Sequence, residues 1–303
     1  MAMIDVGGVR LHATLIPQRS RRPAGQAPMV FVHGLAASQA FWYAAGVQVL
    51  TGLGPCLVYD LRGHGKSDTP ETGFGLDRMS ADLLAVMDAH EIPRANIVCH
   101  SFGGMIALYT ALKAPERVQS LVLADVRVRP LQQKLDIAVP AKALPPGLIR
   151  RLRSLGIDAG QISNADDGVD YLRTVARIQL AAGDEAGDLL SAIYHHPGLF
   201  RSRRNAQKWV QLAERAAFVD ALREGDSFGA QDLGRLSLPM LILVGAKSST
   251  LASARALHEL CPTTVLREIP DMGHFFPMSR PRLFLRPTVR FLHAVNTGRL
   301  KGV

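Results

Sequence analysis

The stretch Ile97-Val98-Cys99-His100-Ser101-Phe102-Gly103-Gly104-Met105 narrows the fold of this chain more than any other. An apolar run meets a serine flanked by small residues, and a helix-favouring run, Met105 to Ala114, follows without a spacer. That order reads as strand, sharp turn and helix. A serine at such a bend is held in a strained backbone conformation. Its hydroxyl projects above the end of a sheet, and the amides of the next helix aim at the same spot. Strand and helix nearly touch there, so the residues two before and two after the serine have to be small. Gly103 meets that condition, whereas Cys99 occupies a position where glycine is commoner. Taken alone, Ser-x-Gly-Gly also fits an ordinary loop between a strand and a helix, so the rest of the chain decides.

Upstream, Met3 to Ile16 carries two alternating apolar runs joined by Gly7-Gly8, a hairpin pattern, and the proline-rich segment 17–28 reads as an exposed loop. Met29-Val30-Phe31-Val32 is continuously apolar, as in a strand buried on both faces, and it ends in His33-Gly34-Leu35. Ser38 is placed to cap one helix carrying Phe41, Trp42, Val47 and Leu50. The aromatic pair Phe41 and Trp42 suits either core packing or a substrate pocket. A second strand, Cys56 to Asp60, leads into Leu61-Arg62-Gly63-His64-Gly65-Lys66-Ser67. Leu76, Met79, Leu83, Leu84, Val86 and Met87 then form a helical stripe ending near His90.

Beyond the serine, Val118 to Asp125 is a strand that ends in a carboxylate. From Val126 to about Leu236 strand-like runs give way to amphipathic helical pieces, and strand order resumes at Met240 to Gly245. A helix near 252–260, a strand over 264–269, the loop Pro270-Asp271-Met272-Gly273-His274-Phe275 and a final helix over 284–295, interrupted by Pro287, complete the chain.

In combination, His33-Gly34 after one strand, Asp60-x-Arg62-Gly63-x-Gly65-x-Ser67 after the next, Ser101 in its bend and the late Gly273-His274 resemble the α/β-hydrolase family. The likeness runs from Met3 to about Val295. It implies an α/β-hydrolase fold: a mostly parallel central sheet flanked by helices, with a helical cap inserted after the sixth strand. The core would be 1–125 with 237–303 and the cap 126–236. It further implies that the backbone amides of Leu35 and Phe102 form an oxyanion hole, and that Asp60, Arg62 and His64 brace the sheet without doing chemistry. His100 is read as turned into the core and without a catalytic part.

A serine hydroxyl needs a base within reach, and the base needs a carboxylate to fix its tautomer. The family order of serine, acid, histidine can be met by Ser101, Asp125 and His274. The acid departs from the commonest family pattern, which places it just after the strand that follows the cap. There Gly245-Ala246-Lys247-Ser248 offers a serine, which cannot carry the charge. Either the triad is broken, or Asp125 supplies the carboxylate from the end of the preceding strand. Asp125 could instead cap a helix at the start of the insertion, and Asp271 is the fallback acid. On this reading Ser248 has no part, and Ser248→Ala is expected to leave the reactivity of Ser101 unchanged.

The resemblance and the trio together imply a carboxylesterase-like serine hydrolase. It would cleave a carboxylic ester, or a lactone, thioester or carbon–carbon bond beside a ketone, of a small and partly apolar substrate through an acyl-enzyme. Two readings compete: a cofactor-independent oxygenase using the His274-Asp125 pair, and a silent ligand-binding protein. No cofactor is implied. Metal chemistry lacks a ligand pattern, since His195 and His196 are adjacent and no His-x-x-x-His pair brackets an acid.

With 303 residues, 48% of them hydrophobic and 20% charged, the chain can bury a full core. The net charge of +9 comes from scattered arginines with no nucleic-acid-binding signature beside them. It reads as a solvated surface or as a means of attracting an anionic substrate. No run reaches the roughly 20 apolar residues of a membrane span, and the start lacks a signal-peptide pattern, so a cytoplasmic protein is expected. The three cysteines, Cys56, Cys99 and Cys261, are widely spaced and read as buried thiols.

Overall fold

The computed structural model describes residues 2–19, 27–134, 144–160, 168–194, 203–224 and 228–299. Most of the 17–28 loop, and with it the arginines at 21 and 22, lies outside these residues, as do His195 and His196. The chain forms two compact units, residues 1–133 with 224–303, and residues 134–223.

The first unit is built on an eight-stranded sheet: β1 Ala2–Asp5, β2 Arg10–Ile16, β3 Met29–Val32, β4 Cys56–Tyr59, β5 Ala95–His100, β6 Val118–Ala124, β7 Met240–Gly245 and β8 Thr264–Ile269. The strands lie in the order β1-β2-β4-β3-β5-β6-β7-β8. β1 and β2 pair antiparallel as the expected hairpin, β2 joins β4 antiparallel, and every later pair is parallel. Strands β3, β4, β5 and β7 are buried at every residue, which is why they read as unbroken apolar runs: helices cover both faces. The edge strand β8 is different, with Arg267 and Glu268 exposed.

The order β4-β3-β5 contains a reversal. The chain leaves β3 toward one side and, after β4, crosses back to β5 on the other. Loops diverge at the carboxyl ends of the two strands flanking such a switch, and the crevice they leave is where open parallel sheets place their chemistry. Here those ends carry His33-Gly34 and Ser101.

Below the switch the core is aromatic. Trp42 sits edge-on to Phe31 at 5.3 Å and near Phe284 at 6.0 Å between ring centres. The helix expected to run through Phe41 and Leu50 is broken in two, Ala40–Ala44 and Val47–Leu50, by Gly46 at φ 87°. Gln39, at the N-cap, makes no side-chain cap, while the Ala40 amide donates to Ser38 Oγ at 3.4 Å. At the other end of the chain the helix Pro281–Asn296 continues through Pro287 instead of stopping there.

Helix Leu76–Asp88 crosses the sheet with Met79, Leu83, Val86 and Met87 inward, and buried Asp82 takes two 2.6 Å hydrogen bonds from Arg62. Asp60 accepts from the backbone amides of Gln39 at 2.7 Å and Lys66 at 3.0 Å. Buried hydrogen bonds thus brace the turn after β4.

The second unit is narrower than the sequence suggests. Residues 126–133 stay with the α/β unit because Val128 N–H donates to Ser253 Oγ at 3.1 Å and Gln132 Nε2 to the Ser249 carbonyl at 2.7 Å. Among its described residues the second unit is all helix, around Leu152, Val175, Ile178, Leu190, Leu212 and Phe218. Trp209 packs there edge-on to Phe218 at 5.6 Å. No helix among the described residues is long and apolar enough to cross a membrane.

Candidate active site

The bend after β5 has the strain its composition implies. Ser101 adopts φ 53° and ψ −127°, a backbone state that costs a non-glycine residue on the order of 1–3 kcal/mol. The helix Phe102–Lys113 starts at the next residue, and the Ser101 carbonyl accepts from the Gly104 amide at 2.9 Å. A Cβ on Gly103 would lie 2.4 Å from the Val32 carbonyl oxygen, and one on Gly34 would lie 2.8 Å from the Cβ of Ser101. Both glycines are therefore required by contact, not by turn type.

Three side chains far apart in sequence meet above this bend. Ser101 Oγ lies 3.0 Å from His274 Nε2, and His274 Nδ1 lies 2.7 Å from Asp125 Oδ1. An ionised carboxylate can only accept, so Nδ1 carries the proton and donates it to Asp125. Nε2 then presents its lone pair to the serine hydroxyl. Parallel neighbours β5 and β6 bring Ser101 and Asp125 to the same end of the sheet, and the loop after β8 carries His274 across to them. The structure thus brings together the serine, acid and histidine picked out in the sequence. Asp125 is wholly buried at φ 52°, whereas a quarter of the His274 side chain is exposed.

Asp271, the fallback acid, faces away. It is 80% exposed and pairs with Lys247 at 2.8 Å.

Burial alone would drive the Asp125 carboxyl up. The His274 charge and hydrogen bond, the Gly245 amide at 2.8 Å and the Ser248 hydroxyl outweigh it and hold the carboxyl below its ordinary range. The sign of the linkage follows. A carboxyl depressed in the folded state adds stability that is fully present above the unfolded value of about 3.9 and is lost as pH falls through the folded value. In thermal unfolding, the gap between the parent and Asp125→Asn should therefore narrow as pH drops below about 4. A gap that stays constant with pH would contradict the depressed carboxyl.

The amide hydrogens of Leu35 and Phe102 find no backbone acceptor among the described residues. His33, which precedes this loop, is wholly buried. Its Nδ1 donates to the Gly34 carbonyl at 2.7 Å and its Nε2 accepts the Leu61 amide at 3.0 Å. Burial lowers its imidazole below the ordinary value, so it holds the loop as a neutral ring.

His100 is buried as expected, but it does more than fill core. Its ring stacks on Phe41 at 4.4 Å, and Nε2–H donates to the His274 carbonyl at 3.0 Å. Burial and the neighbouring His274 push it down to about 3, so no second cation competes beside the catalytic candidate.

Phe41 and Trp42, suggested as pocket residues, belong to the core cluster, with Trp42 fully enclosed. Trp42 points back under β3 toward Phe284 instead of up toward the switch. Sequence reading also missed Thr250, whose hydroxyl reaches Asp125 at 2.7 Å, and treated Ser248 as a bystander. Neither signals itself in the chain, because both contacts depend on β7 lying beside β6. Among the described residues no three His, Cys, Asp or Glu side chains gather as metal ligands.

Comparison with known proteins agrees with this architecture. Residues 27–281 match the family model described as alpha/beta hydrolase fold. The RutD protein of Variovorax paradoxus is 34% identical over 109 residues, 36% of this chain and 41% of that protein. The chain thus spans about two fifths of the length of the first curated relatives it matches. The 3-oxoadipate enol-lactonase 2 of Acinetobacter baylyi is 23% identical over 232 residues, 75% of this chain and 74% of that protein. In structure, the enol-lactonase of Burkholderia xenovorans LB400 superposes with a TM-score of 0.62 at 19% identity, covering 95% of this chain and 98% of that one.

Proposed function

Because the chain belongs to the alpha/beta hydrolase fold family, whose model covers residues 27–281, we propose that it is a serine hydrolase acting on a carboxylic ester or lactone of a small, partly apolar molecule. The observation that carries this reading is the unbroken chain of hydrogen bonds from Ser101 Oγ through His274 to Asp125, at 3.0 and 2.7 Å. A buried network with no chemistry to do has no reason to hold a serine in a strained bend with a base aimed at its hydroxyl. The enol-lactonase among the relatives is consistent with an ester or lactone bond.

In this reading Ser101 Oγ attacks the substrate carbonyl as its proton passes to His274 Nε2, and Asp125 stabilises the imidazolium so formed. The negative charge developing on the carbonyl oxygen is met by the Leu35 and Phe102 amides and by the positive end of helix Phe102–Lys113. His274 returns the proton to the leaving oxygen; it then takes a proton from the water that attacks the acyl carbonyl and passes it to Ser101 Oγ as the ester bond to the serine breaks. The helical unit at 134–223 enters the chain after β6, beyond residues 126–133.

Treatment with a fluorophosphonate ester mimic tests the reading. Intact mass should rise by one adduct, and peptide mapping should place it on Ser101. A folded protein that takes up no adduct would overturn the activated serine and turn attention to oxygen uptake with an aromatic hydroxy substrate.

A further inference from the structure

We infer that Ser248 and Thr250 are positioning residues for the buried acid, their two hydroxyls keeping Asp125 ionised and turned toward His274. The inference deepens the proposed hydrolase reading. Its rate readout rests on that reading, and its titration readout does not.

The contacts are asymmetric. Asp125 Oδ2 accepts one hydrogen bond, from the Gly245 amide at 2.8 Å. Oδ1 accepts three, from His274 Nδ1 at 2.7 Å, from Thr250 Oγ1 at 2.7 Å and from Ser248 Oγ. The Thr250 amide in turn donates to Ser248 Oγ at 3.3 Å, which occupies a lone pair of that oxygen and leaves its proton for the carboxylate. Ser248 and Thr250 are 9% and 2% exposed, so water does not compete for these protons.

A carboxylate with no exposed surface loses its hydration, and a single imidazole does not replace it. Two hydroxyl donors and one amide supply the rest of the solvation. They also fix the plane of the group, since the Gly245 amide holds Oδ2 and the hydroxyls hold Oδ1 where His274 meets it. Asp125 itself ends the strand at a positive φ of 52°. The titratable groups facing Asp125 are His274, from the loop after β8, and His100, from the end of β5. The Lys247–Asp271 pair beyond them is exposed on both sides and screened.

The test compares the parent with a Ser248→Ala/Thr250→Val double variant and a hydroxyl-retaining Ser248→Thr/Thr250→Ser double variant. The Asp125 side-chain carboxyl is followed by 13C NMR of aspartate-labelled protein, its resonance assigned as the one absent from Asp125→Asn. Removing both hydroxyls should raise its titration midpoint by about one pH unit or more, and the hydroxyl-retaining variant should stay near the parent. Fluorophosphonate labelling of Ser101 should slow about tenfold in the first variant, with its acid limb moved to higher pH. A purely packing role would lower stability and slow labelling at every pH while leaving the carboxyl midpoint in place. An unmoved midpoint, or one that moves equally in both variants, overturns the inference. A parent that is never labelled overturns the serine reading instead, and the carboxyl titration still decides this one.

Discussion

Asp125→Asn is expected to slow the reaction of Ser101 with a fluorophosphonate, and any ester turnover, by about 10⁴-fold, a barrier increase of about 5.5 kcal/mol. The size follows from the donors around the carboxylate. The Gly245 amide at the Oδ2 position is backbone and cannot reverse, so it selects the amide oxygen of an asparagine for that site. The amide nitrogen is then forced to the Oδ1 position, facing His274, Ser248 and Thr250. Hydroxyls can rotate to accept, but His274 can accept only by moving its proton from Nδ1 to Nε2. That tautomer presents a proton, not a lone pair, to Ser101 across the 3.0 Å contact, and the base is lost while the fold is kept. The measurement is the second-order labelling rate at neutral pH, with near-UV circular dichroism to confirm folding. Asp271→Asn is the matched comparison: its exposed carboxylate pairs with Lys247, and its rate should stay within about twofold of the parent. A rate for Asp125→Asn within tenfold of the parent would remove Asp125 from the mechanism.

The same donors show where reading along the chain stops. Continuous apolar runs announce β3, β5 and β7 as strands covered on both faces, and the Ser-x-Gly spacing announces the bend, because both are local steric patterns. Asp125 could be picked out because it ends the strand that follows the helix after Ser101. Its service to His274 spans 149 residues and that of Ser248 to Asp125 spans 123, and such pairings depend on strand order. Hydrophobic pattern says that a strand is buried but not which strand lies beside it, so β6 against β7 was not legible. Ser248 therefore read as a missing carboxylate, when its hydroxyl donates to Asp125 Oδ1. Trp42 shows the same limit on a smaller scale. An aromatic residue shortly after a candidate oxyanion loop can face the ligand or the core, and only the break at Gly46 and the position of Phe284 decide for the core.

Gly103→Ala should damage fold and site together, and by more than a single added methyl does in an ordinary core. The new carbon would lie 2.4 Å from the Val32 carbonyl oxygen and 2.7 Å from that of His33. Neither can withdraw, because Val32 belongs to β3, which is paired with β4 on one side and β5 on the other, and Val32 itself is in register with Cys99. The helix Phe102–Lys113 must lift instead, although nearly all its residues are buried against neighbours. Overpacking of this kind costs about 3 kcal/mol at the upper end of its usual range. Lifting the helix by about 1 Å also withdraws the Phe102 amide and Ser101 from His274, a displacement worth about 10²-fold in rate. Urea unfolding should show a lower midpoint with an unchanged slope, and labelling of the still-folded fraction should be about a hundredfold slower. Gly234→Ala is the comparison within the same unit: a Cβ there comes no nearer than 3.5 Å to any atom, and both readouts should match the parent. Were Gly103→Ala to keep parent stability and labelling, the close contact between β3 and the helix could not be what sets the position of the serine. The loop after β3 and Ser101 would then have to be held together by the β3–β5 ladder and the His33 hydrogen bonds to Gly34 and Leu61.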